Sequence, residues 1–266
     1  MKKIVLMAVL YTLFSFNALY PELSKDEKEF VSYIANGNKE EVLNFLNNKK
    51  ANINLDIMDG ATPLMLSIIY KQDEIAKLLI EKGADLNKKE KESGATPLIL
   101  SILYEQYEIA EILIKKGANV NIKDNSGFTA LIHAIQREKT DLSKMLIEKK
   151  SDVNTKITFK TDGLYLKDFT PLTFNVDIEI AELLIKAGAK VNTRLSIKDD
   201  ERDIQLENIT PLMWVIFDYN PELAKLLIEA GADINAKDKD GNTALDYARY
   251  RNNSEIEQLL IEKGAK

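Results

Sequence analysis

Residues 62–87 read TPLMLSIIYKQDEIAKLLIEKGADLN, and this stretch decides the fold. Thr62 stands where an N-cap oxygen accepts from the first free amides of a helix. Pro63 falls at the first helical position, where its missing N–H costs nothing. That helix should run to about Tyr70. Lys71, Gln72 and Asp73 make a turn, and Ile75, Leu78, Leu79 and Ile80 then recur at three- and four-residue spacing, the apolar stripe of a second helix. Gly83 ends it, because a left-handed residue is least costly without a Cβ.

The same unit recurs along the chain. Thr-Pro-Leu or Thr-Ala-Leu begins at Thr62, Thr96, Thr129, Thr170, Thr210 and Thr243, with gaps of 34, 33, 41, 40 and 33 residues. The second helix returns as EIAEILIKKGAN, DLSKMLIEKKSD, EIAELLIKAGAK, ELAKLLIEAGAD and EIEQLLIEKGAK, closed by Gly117, Gly188, Gly231 and Gly264. Lys150 replaces the glycine in one unit. That turn should either hold a strained residue or be built differently, with weaker local order. Two helices this short cannot bury their own apolar face, so the units must stack on one another to make a core. A divergent seventh unit, Glu29 to Asn54, has Phe30, Val31, Ile34, Val42, Phe45 and Leu46 as its core and opens on a capping box of Ser24 and Glu27. It reads as the N-terminal cap, while Arg249 and Gln258 make the last unit more polar, as the end of a stack requires.

The T-P-L start, the helix pair and the closing G-A-D/N-x-N resemble the ankyrin repeat, in a protein of the exported bacterial type. The resemblance implies an all-α fold: an ankyrin-repeat solenoid of stacked helix pairs with β-hairpin fingers, two of them extended. The repeats would span 24–54, 55–87, 88–121, 122–154, 155–192, 193–235 and 236–266. The family's usual His after T-P-L is replaced by Met65, Ile99, Ile132, Thr173, Met213 and Asp246, which puts in doubt the hydrogen bond that His gives the repeat turn, but not the fold.

Met1-Lys2-Lys3, an uncharged run from Ile4 to Phe16, and Asn17-Ala18-Leu19-Tyr20 read as a signal peptide over residues 1–20. Ala18 suits the last removed residue, although Phe16 is large for the position two before it. An uncleaved anchor or a short cap helix is the alternative. The apolar run is shorter than the ~20 residues that cross a bilayer, so no integral membrane domain is expected after signal removal. The formal net charge is −6, or −8 without Lys2 and Lys3, which disfavours nucleic acid as a partner. With no cysteine, disulfides and thiolate chemistry are excluded.

Little in the sequence points to catalysis. His133 is the single histidine, so a Ser-His-Asp triad or a multi-histidine metal site lacks partners; it reads as a packing residue with a satisfied nitrogen. Glu74, Glu108, Asp141, Glu179, Glu222 and Glu255 share one position near the start of the second helix, where the helix dipole explains them. Asp238-Lys239-Asp240-Gly241 fails as a calcium loop, since aligning Gly241 puts Ala236 first and Tyr247 last, where acids are needed. No phosphate-cradling loop occurs, and sequons at Asn208 and Asn252 are short enough to be chance. Neither metal nor cofactor is expected.

Two inter-repeat connections, Asn154 to Thr170 and Asn192 to Thr210, are twice the length of the others. The first should form a hairpin around Asp162-Gly163, pairing Phe159 with Leu166 and Thr161 with Leu164. That puts Ile157, Phe159, Leu164 and Leu166 on one face and Lys160, Tyr165 and Lys167 on the other. The second, paired around Asp200-Glu201, should group Leu195, Ile197, Ile204 and Leu206 and set Arg194 against Glu207 and Lys198 against Asp203. The two hairpins should lie side by side, with apolar faces covering each other. The unit at Thr170 lacks three residues, so Phe174-Asn175-Val176-Asp177 should leave a narrowed stack and a local concavity.

In the family, the end of the first helix and the hairpin tips face partners on the concave side. The resemblance therefore makes Tyr70, Tyr104, Phe128, Arg137, Lys160, Tyr165, Lys167, Phe217, Tyr250 and Arg251 the candidate partner-binding residues; aromatic rings and arginine are common anchors. The expectation is a monomeric, non-enzymatic, secreted or periplasmic module that binds a protein. One alternative is a small-ligand receptor or enzyme with Tyr165, His133 or Trp214 at its rim; another is an intracellular scaffold.

Overall fold

The computed structural model describes residues 23–48, 52–57, 59–160, 163–174 and 176–266. The expected signal peptide lies outside them, as do Thr161, Asp162 and Asn175. The chain divides into two compact units, up to His133 and from Ala134.

In the first unit, helices pair in the order read from the sequence: α1 (Lys25–Ala35) with α2 (Lys39–Asn47), α3 (Pro63–Ile69) with α4 (Asp73–Glu81), and α5 (Pro97–Leu103) with α6 (Tyr107–Lys115). The Ser24 hydroxyl accepts from the Glu27 amide at 3.3 Å while Glu27 accepts from the Ser24 amide at 2.8 Å, the expected capping box. Thr62 and Thr96 cap α3 and α5 by accepting from Met65 and Ile99, each at 3.3 Å. First helices pack on first helices and second on second, and the shared interior is built of Leu64, Ile68, Ile75, Leu79, Leu98, Ile102, Ile109 and Leu113, all but fully buried. The asparagine that closes each repeat couples it to the next: Asn54 accepts from the Asp85 amide at 2.8 Å and Asn87 from the Asn119 amide at 2.7 Å. Helix α7 (Ala130–Gln136) follows Thr129.

The second unit continues with α8 (Thr140–Glu148), α9 (Ile178–Lys186), α10 (Pro211–Phe217), α11 (Pro221–Glu229), α12 (Ala244–Tyr250) and α13 (Ser254–Glu262). The shortened repeat keeps α9 but reduces its first helix to a 3-10 turn, Pro171–Thr173, and Asp177 takes over as N-cap, accepting from the Ile180 amide at 2.8 Å. A groove of about 360 Å³ opens between α8 and the start of α9, with no finger residue in its lining.

The histidine lost from T-P-L is partly compensated here. Thr173, Asp246 and the Met213 sulfur accept from the amides of Thr170, Thr243 and Thr210 at 2.9, 2.8 and 3.4 Å. Lys150 adopts φ 62°, and the amides of Lys150 and Ser151 bond back to Ile147 and Leu146 at 2.9 and 3.1 Å, as Gly83 and Ala84 bond back at 3.2 and 3.0 Å. The turn therefore holds a strained residue and is otherwise built as at the glycines, with its hydrogen bonds intact.

The long connections form strands β1 (Ile157–Lys160), β2 (Leu164–Phe169), β3 (Leu195–Asp199) and β4 (Ile204–Ile209). Phe159 pairs with Leu166 and Lys160 with Tyr165, as expected, but Ile157 meets Phe169, because Asp168 at φ 61° bulges out. The second hairpin differs from expectation by two residues: Ile197 pairs with Leu206 and Lys198 with Gln205. Its turn is longer than two residues, since the Asp199 carboxylate accepts from the Glu201 and Arg202 amides at 3.1 and 3.2 Å and holds residues 200–203 in the loop. A shift of two preserves which side chains share a face and changes who opposes whom. The expected Arg194–Glu207 and Lys198–Asp203 rungs are replaced: Arg194 donates to the Asn208 and Lys237 carbonyls, Lys198 pairs with Asp200 and Glu207 with Lys239.

Nor do the hairpins cover each other face to face. β2 and β3 pair antiparallel, Leu166 opposite Ile197, so that the fingers join edge to edge in one sheet of order β1-β2-β3-β4. Both apolar sets then lie on one side of it, over the 3-10 turn and Trp214, around a groove of about 490 Å³.

Candidate protein-interaction surface

Five first helices are followed by a left-handed residue that is not glycine: Lys71, Glu105, Glu138, Tyr219 and Asn252 have φ between 55° and 63°. Such residues cost of order 1 kcal/mol each, and they turn the preceding side chain outward. In the first unit those side chains are Tyr70 and Tyr104, both half-buried. Burial, with the carboxylates of Glu90 and Glu92 adding to it, raises the Tyr104 phenol above its ordinary range. Phe128 is a correction. It is 7% exposed and its ring stacks on His133 at 5.4 Å, so it braces the repeat tip from within. His133 is itself 9% exposed and its Nε2 meets Asp124 at 2.8 Å, the packing residue with a satisfied nitrogen that is expected, while Nδ1 has no partner among the described residues. Burial pushes the Asp124 carboxyl up, but His133 and the Phe128 and Ser126 amides outweigh it and hold it low.

In the second unit the structure gathers three candidates. Phe217, at the end of α10, stacks on Tyr250 at 6.3 Å with ring planes 5° apart, and on Trp214 at 6.2 Å; Tyr247 meets it edge-on at 6.2 Å. The Arg251 guanidinium covers Phe217 at 5.3 Å and Tyr219 at 5.8 Å. Tyr250 is 73% exposed and Tyr219 57%. Between these rings and β4 lies a groove of about 560 Å³ whose other wall is Arg202–Leu206. Asp218 at its rim is raised by burial, against the pull of Arg202 and Arg251.

Behind the rings the floor is fixed. Trp214 donates from Nε1 to the Thr173 carbonyl at 3.0 Å and takes Phe169 edge-on at 6.0 Å. Tyr247 donates to Asp238 at 2.8 Å, and Asp238 also accepts from the Asp240 and Asn242 amides at 2.9 and 2.8 Å, so the Asp238 carboxylate closes its own turn. Lys160, Tyr165 and Lys167 lie elsewhere, on the outward face of the sheet, and Arg137 sits half-buried just past α7. Sequence reasoning missed Arg202 as a groove residue and Tyr219 as the ring beneath Arg251. Tyr219 was legible as the position equivalent to Lys71; Arg202 depended on the four-residue loop.

Among the described residues no group of three or more His, Asp or Glu side chains could hold a metal ion, and no helix is long and apolar enough to cross a membrane.

The family described as ankyrin repeats (3 copies) matches residues 12–90, 30–124, 87–157 and 172–266. The chain belongs to the ankyrin-repeat family. It is similar to the crystal structure of the ankyrin repeat domain of Bcl-3, a member of the IkappaB family, at 20% identity, covering 86% of this chain and 97% of that one with a TM-score of 0.66. Stacked helix pairs with hairpin fingers are thus the fold of this ankyrin-repeat protein. Ankyrin-repeat domains work as non-catalytic scaffolds, and this one is a non-enzymatic protein–protein interaction module.

Proposed function

We propose that the module, seven repeats over residues 24–266 acting as a monomer, holds its protein partner in the groove between the α10–α12 helix ends and the second finger. The observation that carries this is Tyr250, stacked flat on Phe217 while 73% exposed. Sealing of a repeat junction explains the inner rings but leaves an outermost ring with nothing to seal. Rigid, exposed aromatic side chains beside arginine are the residues whose burial supplies most binding energy, each on the order of 2 kcal/mol. Tyr70 and Tyr104 extend the same helix-end position in the first unit.

Affinity capture with wild-type protein and with Phe217→Ala/Tyr250→Ala, compared by quantitative mass spectrometry, tests the assignment. Proteins retained by the first and lost by the second, with affinity falling about 30-fold or more, identify the partner. Equal capture by both would remove the groove from the binding surface.

The export reading rests on residues 1–20 and concerns compartment only. An intact mass of the native chain that begins just past Ala18–Tyr20 supports secretion. A chain beginning at Met1 supports the intracellular scaffold instead.

A further inference from the structure

We propose that the outward face of the finger sheet binds a carboxylate-rich segment of a protein partner, through three lysines arrayed around Tyr165. The inference rests on the protein-interaction reading above but uses a surface distinct from the helix-end groove.

Tyr165 lies on β2, directly opposite Lys160 on β1 and Lys198 on β3; Lys167, two residues further along β2, stands opposite Ser196. Neighbouring strands are about 4.8 Å apart and alternate residues along a strand about 6.8 Å, so three ammonium stems rise within about 7 Å of one tyrosine backbone. This occurs in a chain whose net charge is −6, so the face departs from the surface average. Lys160, Lys167 and Lys198 are exposed and Tyr165 is half-buried, its ring a flat apolar floor among aliphatic stems.

The face neutralises itself only in part. Lys198 meets Asp200 at 2.8 Å, but among the described residues Lys160 and Lys167 form no ion pair. Glu207, the one acid of that face on β4, bonds to Lys239 at 2.6 Å and Gln205 at 3.1 Å, and Lys167 adds a smaller pull on its carboxylate. Edge protection accounts for a lysine on an outer strand, and Lys160 is on one. It does not account for Lys167 and Lys198, which stand on the two interior strands of the four. Gathering like charges on one face weakens a sheet, so a role outside the fold is the economical reason for them. A partner in extended form presents alternate side chains at the same 6.8 Å or so as Tyr165 and Lys167, which matches carboxylates at every second position to this array.

The probe is a fluorescein-labelled peptide of about ten glutamates, titrated by anisotropy into the full chain, with neutral Gly-Ser peptide and phosphatidylserine vesicles as comparisons. Saturable binding that weakens by about tenfold or more between 50 and 300 mM salt is expected, because exposed charges are screened over that range. Lys160→Glu/Lys167→Glu/Lys198→Glu should lose binding by a similar factor, whereas Phe217→Ala/Tyr250→Ala should keep it. If the triple reversal fails to fold by circular dichroism, Lys160→Gln/Lys167→Gln serves, with a smaller loss in the same direction. Wild-type affinity in that double variant, no saturable binding by wild type, or vesicles bound more tightly than peptide would each overturn the proposal. None of these outcomes bears on the Phe217–Tyr250 groove, which the capture experiment tests separately.

Discussion

Between Thr62 and Thr129 the protein uses 34 and then 33 residues per repeat, and between Thr129 and Thr210 it uses 41 and 40. The second helix takes no part in that difference: α4, α6, α8, α9, α11 and α13 are nine residues each. The extra length goes into the fingers, and the one deletion comes out of a first helix, where seven residues become a three-residue 3-10 turn. Both helices of a pair stack on the corresponding helices of their neighbours, and it is the second that keeps its length in every repeat. Fingers end in solvent, where added residues need only pair with one another. The irregular region is therefore where a surface peculiar to this protein can be built: the basic sheet face lies there, as does the Arg202–Leu206 wall of the aromatic groove, whose rings stand on the helices that follow.

The sharpest way to break this comparison is to remove equal volume from each region. Leu113, on α6 and wholly buried, should cost about 2–5 kcal/mol as Leu113→Ala. Leu206, half-buried on the finger sheet, should cost about 1 kcal/mol or less as Leu206→Ala, since much of its side chain is already wet. Urea unfolding of both variants reads the difference. Equal losses would mean that the fingers are part of the stability core, and the division argued above would be wrong.

The helical part of this division was legible because its determinants are local. A threonine cap, a proline at the first position and a closing glycine act within one turn of themselves, and the leucine spacing repeats with the helix period. The first hairpin was legible for the same reason, through Asp162-Gly163, as far as the bulge at Asp168. The second was misread because its loop is set by one carboxylate, Asp199, binding two amides beyond it. A two-residue turn around Asp200-Glu201 and a four-residue loop bring the same hydrophobic side chains to one face, so patterning could not choose between them. Edge-to-edge joining of the fingers was illegible for a different reason: it depends on β2 and β3 meeting across 25 intervening residues, from Thr170 to Arg194, with no local signal. The groove was half legible. Phe217, Tyr250 and Arg251 came from their aligned position, whereas Phe128 shared the composition of a binding residue and not its exposure.

Matched carboxylates in the two units offer a second comparison. Asp124 and His133, and Asp238 and Tyr247, occupy the same two places in their repeats, nine residues apart. Asp238→Ala strands a buried phenol and two turn amides, and should cost about 1–3 kcal/mol. Its pH signature follows from direction. Burial raises the Asp238 carboxyl, but bonds from Asn242, Tyr247 and Asp240 outweigh it and hold it below the usual carboxylate range. Its contribution is complete above the unfolded value of about 3.9 and disappears as pH falls through the folded one. Tyr247 moves the other way, raised first by burial and then by Asp238. The pair's contribution from that side is complete below the phenol's unfolded value of about 10 and disappears as pH climbs past it. Urea midpoints from pH 2 to 11 should fall at both ends for the second unit, and Tyr247→Phe should abolish the alkaline fall alone. At the matched place in the first unit the histidine carries no phenol, so any alkaline fall there comes from Tyr104, which burial also raises, and should survive Tyr247→Phe.

The smallest expected effects compare one turn between repeats. Gly117 has φ 88° and a Cβ placed on it would touch nothing within 4 Å, so Gly117→Ala tests backbone conformation without a steric term. It should cost about 1 kcal/mol, the penalty for an L-residue held left-handed. Lys150 already bears that penalty at φ 62°. Lys150→Gly relieves it, gives back part as the greater unfolded-state freedom of glycine and a few tenths through the exposed side chain, and should net about 0.5 kcal/mol of added stability. Opposite signs at two equivalent positions would show that the turn demands the same backbone in both units and that only the residue differs. If Lys150→Gly instead destabilised the protein, its side chain would have to contribute more to the fold than an exposed lysine can, and the equivalence of the two turns would fail.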